Sequence, residues 1–293
     1  MQRRQFLKML ALALPAIGVF APAAADDRQV LKVGLLPDED RLTVIWNNKS
    51  LAAYLEEELG VAVELVVPED YDALIEAVAS GEIEVGYFGP AAYTIARKRM
   101  AGGGVGLEPF AARVRDGATT YQSVVIAHAG SGLASIDDLR GSGVDFAYGD
   151  PASTSSHFAP KYTLMQAEVV PGRDYTGRHL GTHTAVAEAV AAGDVRAGAL
   201  SRPIFERMIA DGKVRAEAVT VLGYSEPLPQ YPWAMRTDLD ADLRMAMKAA
   251  FHGIALETPW GQAVLRPFGA EGFADMSDDD YDIIRRIRAN VTG

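Results

Sequence analysis

The stretch Tyr148-Gly-Asp-Pro-Ala-Ser-Thr-Ser-Ser-His157 decides how the chain is read. Gly149 and Pro151 punctuate a turn. Ser153, Thr154 and Ser155 then stand just ahead of a helix predicted to run through Tyr162-Thr-Leu-Met-Gln166. Hydroxyl side chains at a helix start satisfy the free N–H groups there. A run of three supplies more hydroxyls than one cap needs. Helix N-termini also carry partial positive charge and outward-pointing donors, so the spare hydroxyls make a cradle for an anion. The plainer alternative is a capped helix after a β-strand.

Outward from this turn, strands and helices alternate. Upstream, Val144 to Tyr148 reads as the strand that feeds it, and Tyr121 to Ala127 as another. Ser135 with Asp137 and Asp138 marks a helix start between them. Nearer the N-terminus the spacing predicts strands over Val30–Leu36, Val61–Val67 and Ile83–Phe88. Helices are predicted over Leu51–Leu59 (capped by Ser50 and stopped by Gly60), Tyr71–Val78 and Ala91–Met100. Strands separated by helices at these lengths mean parallel sheet with right-handed crossovers. Gly102-Gly-Gly104 opens a looser stretch. Downstream of the turn come Gly181–Val190, a strand over Val195–Leu200, a return segment from Val219 to Tyr224, and a helical pattern from Leu239 onward that Gly272-Phe273 interrupts. The βα units fall into two groups, about 30–110 and 120–222. Two α/β lobes leave a cleft between them, where ligands of open α/β sheets bind.

Composition narrows the function. The 293 residues carry a formal net charge of −11, which argues against nucleic acid, whose phosphates are neutralised by Lys/Arg surfaces. Residues 1–25 read as an export signal: Arg3, Arg4 and Lys8 form a basic region, Met9 to Phe20 an apolar run, and Ala23-Ala-Ala25 a cleavage site. Arg3-Arg-Gln-Phe-Leu-Lys8 resembles the twin-arginine export motif, a route that implies folding before translocation. The chain has no cysteine, which excludes disulfides, thiolate metal sites, a cysteine nucleophile and a lipid-anchored cysteine. The expected product is a soluble periplasmic protein.

In order along the chain stand Val33-Gly-Leu-Leu-Pro37, Tyr71-Asp-Ala-Leu-Ile-Glu76, Gly89-Pro-Ala-Ala-Tyr93, Tyr121-Gln-Ser123, Asp137-Asp-Leu-Arg-Gly141, Asp150-Pro-Ala-Ser-Thr-Ser155 and Gly181-Thr-His183. This series, spanning about 31 to 235, resembles the phosphonate/phosphite-type periplasmic substrate-binding proteins of ABC importers. The resemblance implies an α/β, two-lobed periplasmic binding protein fold of type II, each lobe a mostly parallel sheet flanked by helices. Lobe 1 would comprise residues 26–112 with 230–293 and lobe 2 residues 113–229, with hinge crossings near 111–121 and 222–232. It implies a monomer without cofactor or metal, serving a membrane permease. Its anion contacts would fall on Tyr71, Tyr121, Ser153, Thr154, Ser155 and His183, a set of donors that needs no fixed cation. In members that bind aminoalkylphosphonates, carboxylates hold the ammonium. The corresponding positions here are Pro203 and Tyr231, neither of them acidic, with Glu206 and Glu226 as nearby substitutes. A cationic ligand tail is therefore disfavoured, and Tyr231 and Arg202 stand as possible cleft wall.

Each of these residues also has a plainer reading. His183 fits a helix cap, Tyr71 and Tyr121 fit lobe packing, and Arg202 fits the solvent-exposed edge. Asp38-Glu-Asp40 reads as a solvated loop, since three consecutive residues in extended chain cannot converge on one ion.

Three functions compete. The first is capture of a small phosphorus oxyanion (phosphite, alkylphosphonate or phosphate-like) for an ABC importer. The second is an oxyanion sensor of the same fold partnering a membrane histidine kinase. The third is an enzyme using Ser153 or Ser155 with His183. The enzyme lacks support, because neither serine sits in a Gly-x-Ser-x-Gly elbow and no orienting carboxylate is evident.

Overall fold

A computed structural model describes residues 30–292. The signal sequence, its cleavage site and the twin-arginine motif lie outside the described residues. In chain order the first part runs β1 (Val30–Leu35), α1 (Arg41–Leu59), β2 (Ala62–Val66), α2 (Tyr71–Ser80), β3 (Val85–Tyr87), α3 (Pro90–Met100) and β4 (Leu107–Val114). The middle part runs β5 (Thr120–Tyr121), β6 (Ser123–His128), β7 (Val144–Tyr148), a π-helical turn (Thr154–Phe158) leading into α4 (Ala159–Gln166), β8 (Tyr175–His179), α5 (His183–Ala192), β9 (Ala197–Ser201), α6 (Arg202–Ala210) and β10 (Val219–Tyr224). Then follow β11 (Leu228–Pro229), β12 (Pro232–Arg236), α7 (Ala241–His252), α8 (Pro259–Leu265), β13 (Gly272–Ala274) and α9 (Asp282–Thr292).

These strands build two mixed sheets. The first has the order β13-β4-β12-β3-β1-β2 and the second β10-β6-β9-β7-β8. Pairing is parallel among β1, β2 and β3 and among β7, β8 and β9, where helices cross over between strands. It is antiparallel at β12, β4 and β13 in the first sheet and at β6 and β10 in the second. The parallel pairing inferred from βα spacing thus covers only part of each sheet. β5 and β11 form a small antiparallel ribbon of their own, with Tyr121 opposite Leu228.

The first sheet packs around a buried aromatic column. Trp233 lies 4.8 Å from Tyr87 and 5.2 Å from Phe251, and Phe251 lies 5.1 Å from Phe110, ring centroid to centroid. Offset and edge contacts at these spacings add to the burial of the rings themselves. The second sheet is covered by Val186, Val190 and Phe205 on one face and by Phe146, Leu164 and Tyr175 on the other.

Several expectations are corrected. Helix α1 starts at Arg41, not after Ser50, because Asp40 caps it by accepting from Thr43 N–H at 2.9 Å. Its first turns expose Leu42 and Trp46, which hides the usual apolar period. The loose stretch after Gly102 leads into β4, an eight-residue strand inside the first sheet. The interruption at Gly272 is β13 at the sheet edge. Among the described residues no helix is long and apolar enough to cross a membrane.

Candidate functional site

The turn after β7 is held from several sides. Ser156 Oγ accepts from Gly149 N–H at 2.6 Å and donates to the carbonyl of Ala199 on β9. Position 149 must be glycine, since a Cβ there would lie 2.7 Å from Ser156 Oγ. Ser123 Oγ donates to the Ser155 carbonyl. Ser153 caps the π-helical turn by accepting from Ser156 N–H at 3.2 Å. Thr154 Oγ1 accepts from Ala91 N–H at 2.7 Å. Because Ser153 and Thr154 act here as acceptors, their own O–H protons stay available to donate elsewhere.

Four helix starts meet at this turn. Tyr71 is the first residue of α2, and its N–H lies 3.4 Å from Asp150 Oδ2 beside the turn. Ala91 belongs to the first turn of α3, Thr154 opens the helix leading into α4, and His183 opens α5. The first N–H groups of each helix have no intrahelical acceptor, and each dipole places partial positive charge at that end. The result is a junction rich in backbone and hydroxyl donors, with the carboxylates of Asp70 and Asp150 at the start of α2.

His183 is buried, and burial pushes its pKa down to about 3, so the ring is neutral at ordinary pH. Its Nδ1 accepts from Ser201 N–H at 3.4 Å, which assigns the ring proton to Nε2. That Nε2–H lies 3.3 Å from Tyr231 Oη, and Tyr231 Oη lies 3.5 Å from Ser155 Oγ. Burial raises the pKa values of Tyr71, Tyr121 and Tyr231, so all three stay protonated and can donate. Tyr121 stacks edge-on against Tyr231 at 5.2 Å, and its buried hydroxyl, close to Ser155, Tyr231 and Thr154, makes no well-formed hydrogen bond among the described residues.

Tyr231 also forms one side of an adjoining cavity of about 60 Å³, whose walls include Asp38, Tyr87, Arg113, Pro203 and Arg207. Asp38 and Glu39 are buried here, which corrects their reading as a solvated loop. The Asp38 carbonyl accepts from His183 N–H at 2.9 Å, and Glu39 pairs with Arg207 of α6. Burial, reinforced by the neighbouring Glu39, lifts the pKa of Asp38 to about 8.

The structure thus brings Tyr71, Tyr121, Ser153, Thr154, Ser155, His183 and Tyr231 to one junction between the two sheets. Arg202 is not among them. Its guanidinium is held by Glu206 at 2.7 Å and Gln122 at 2.8 Å, outside the cradle. Glu206 is engaged with Arg202 and Arg115, and Glu226 is exposed. Sequence reasoning passed over Tyr87, Arg113 and Arg207 and misread Asp38 and Glu39 as solvated. No local pattern signals them, because the cavity forms only where β1, β3, β4 and α6 come together.

The chain has two sheet domains that meet at this junction. The family model for the ABC transporter, phosphonate, periplasmic substrate-binding protein matches residues 33–281. The chain belongs to that family. It is 26% identical to a phosphate-import protein, PhnD, of Mycolicibacterium smegmatis, over 90% of this chain and 86% of that one. It is 22% identical to a probable ABC transporter phosphite binding protein of Prochlorococcus marinus, over 92% of each. Among solved structures, a binding-protein component of an ABC phosphonate transporter from Pseudomonas aeruginosa superposes with a TM-score of 0.83 at 22% identity, covering 90% of this chain and 87% of that one. A Prochlorococcus marinus protein solved with methylphosphonate superposes with a TM-score of 0.81 at 22% identity, covering 89% and 98%.

Proposed function

We propose that the chain captures a small phosphorus oxyanion between its two domains and that the closed form is delivered to the permease of an ABC importer. The observation that carries this reading is Tyr121 Oη. It is a buried hydroxyl with no well-formed hydrogen bond among the described residues, beside the hydroxyls of Ser155, Tyr231 and Thr154, whose protons can turn inward. An unpaired buried polar group is costly, and a ligand oxygen would relieve it. In this reading Tyr71, Tyr121, Ser153, Thr154, Ser155 and His183 donate to the phosphorus oxygens. The hinge lies at the two chain crossings beside the β5–β11 ribbon, so that lobe 1 is 26–112 with 230–293 and lobe 2 is 113–229. Nothing in the site orients a serine for attack: the His183 proton sits on Nε2 and Nδ1 is taken by a backbone N–H. This supports capture over catalysis.

The test is a thermal-shift screen of the mature protein against phosphite, methylphosphonate, phosphate, sulfate and arsenite. A ligand that binds only the folded state raises the melting temperature by mass action. Phosphite or methylphosphonate should raise it, and the double change Ser153→Ala with Thr154→Ala should abolish the shift. Failure of every phosphorus oxyanion to move the transition would end this assignment.

A further inference from the structure

Arg113 is left unexplained by the oxyanion cradle. Its side chain lies at the end of β4 in a residue only 6% exposed. The guanidinium stacks over Phe268 at 3.3 Å and Tyr87 at 4.6 Å. Of its five N–H donors, one reaches Tyr87 Oη at 2.5 Å and another reaches Asn48 Oδ1 at 3.5 Å, both neutral acceptors. Nε has no partner. Among the described residues no carboxylate oxygen lies within ion-pair distance of it. Buried cations are ordinarily paired, because an uncompensated charge away from water is expensive.

This guanidinium lines the 60 Å³ cavity, which has room for several waters or a short polar group. Tyr231 borders both the cavity and the cradle, its hydroxyl near Ser155 and His183 and its ring 5.6 Å from Tyr87. Of the two acidic residues on the same wall, Glu39 is taken up by Arg207. Asp38, with its pKa near 8, is protonated at neutral pH and offers a donor in place of a negative charge. Beside a site for phosphorus oxygens there is thus a second compartment with an unpaired cation and a spare donor.

We infer that this cavity receives a carboxylate carried on the substituent of a phosphonate held in the cradle, with Arg113 as its partner. The preferred ligands are then short phosphonocarboxylates rather than bare phosphorus oxyanions. A planar carboxylate matches the guanidinium fork, and such charge-assisted pairs are stronger than neutral hydrogen bonds. The inference rests on the cradle reading above, and its test separates the two.

Titration calorimetry on the mature protein would compare methylphosphonate, aminoethylphosphonate, phosphonoacetate and phosphonopropionate. Phosphonoacetate or phosphonopropionate should bind at least about tenfold tighter than methylphosphonate, the gain expected from one charge-assisted pair. Arg113→Gln should bring that ratio towards one. If this variant does not fold, Arg113→Lys decides by the same ratio, which must shrink because lysine lacks the fork. Equal affinities for methylphosphonate and the carboxylates would overturn the inference and leave the cradle standing. So would an undiminished ratio in Arg113→Lys, or tightest binding of aminoethylphosphonate, which would make the cavity a cation site. Binding of none of the four would overturn both readings.

Discussion

Thr154 Oγ1 accepts a hydrogen bond from the backbone N–H of Ala91 at 2.7 Å, joining the turn after β7 in one domain to the start of α3 in the other. Thr154→Val keeps the volume but strands that N–H. A buried donor left unsatisfied costs about 1–3 kcal/mol, and here the loss falls on the closed arrangement. Calorimetric affinity for methylphosphonate should drop by about tenfold or more. Thr154→Ser, which keeps the oxygen, should retain most of it. Equal binding by the valine and serine variants would remove this contact from the closure mechanism.

Tyr121→Phe should separate stability from binding. The hydroxyl it deletes makes no well-formed hydrogen bond among the described residues, so thermal stability in the absence of ligand should hold. Affinity for the oxyanion should fall, by about 1 kcal/mol for one lost hydrogen bond. A variant that melts earlier yet binds normally would mean that Tyr121 only packs the domain boundary.

Glu39 and Arg207 form an ion pair between the loop after β1 and helix α6, with side chains 8% and 23% exposed. Removing one partner of a largely buried pair leaves the other charge uncompensated. Arg207→Met should therefore weaken ligand binding by about 1–3 kcal/mol, a value discounted for the partial exposure of the arginine. The double variant Glu39→Gln with Arg207→Met should recover part of that loss. The cycle is decided by small-angle scattering and calorimetry together. A double variant no better than Arg207→Met would show that the pair is not coupled.

Stability should peak at mildly acidic to neutral pH. Burial holds His157 and His183 down to about 3, so both are neutral in the fold while the unfolded chain takes up protons below about 6.5. Their contribution is present above that pH and is lost as pH falls towards 3. Asp38 acts in the opposite sense. Its carboxyl is raised to about 8 in the fold but ionises near 3.9 in the unfolded chain, so its contribution is full below 3.9 and is lost as pH rises through 8. Each group contributes a slope of about 1.4 kcal/mol per pH unit where it is fully active. Melting curves of Asp38→Asn should lose the alkaline decline, and those of His157→Gln should soften the acidic one. An unchanged alkaline limb in Asp38→Asn would place the titration elsewhere.

How much of this was legible from the sequence follows from how local each signal is. β7 and β9 are short apolar runs, and they lie within two residues of where the pattern placed them, whereas Val219–Tyr224, read only as a return segment, is the edge strand β10. The Ser153–Ser155 run was readable because capping chemistry and spare hydroxyls sit side by side in the chain. α1 was cut short in the reading because its first turns present Leu42 and Trp46 to solvent. β4 was lost behind three glycines, although it lies between β12 and β13. Asp38 and Glu39 were the hardest to read. Their burial depends on Arg207, 168 residues further on, and on the start of α5, neither of which leaves a trace beside them.

The meeting of helix starts at the turn has a mechanical consequence. α2 and α3 approach from one domain, and the helix through Thr154 and α5 approach from the other, each presenting the same sign of partial charge. In the capture reading, the donors at these helix starts are what a negatively charged guest would share between the two domains. Such a guest would be the keystone on which both halves rest.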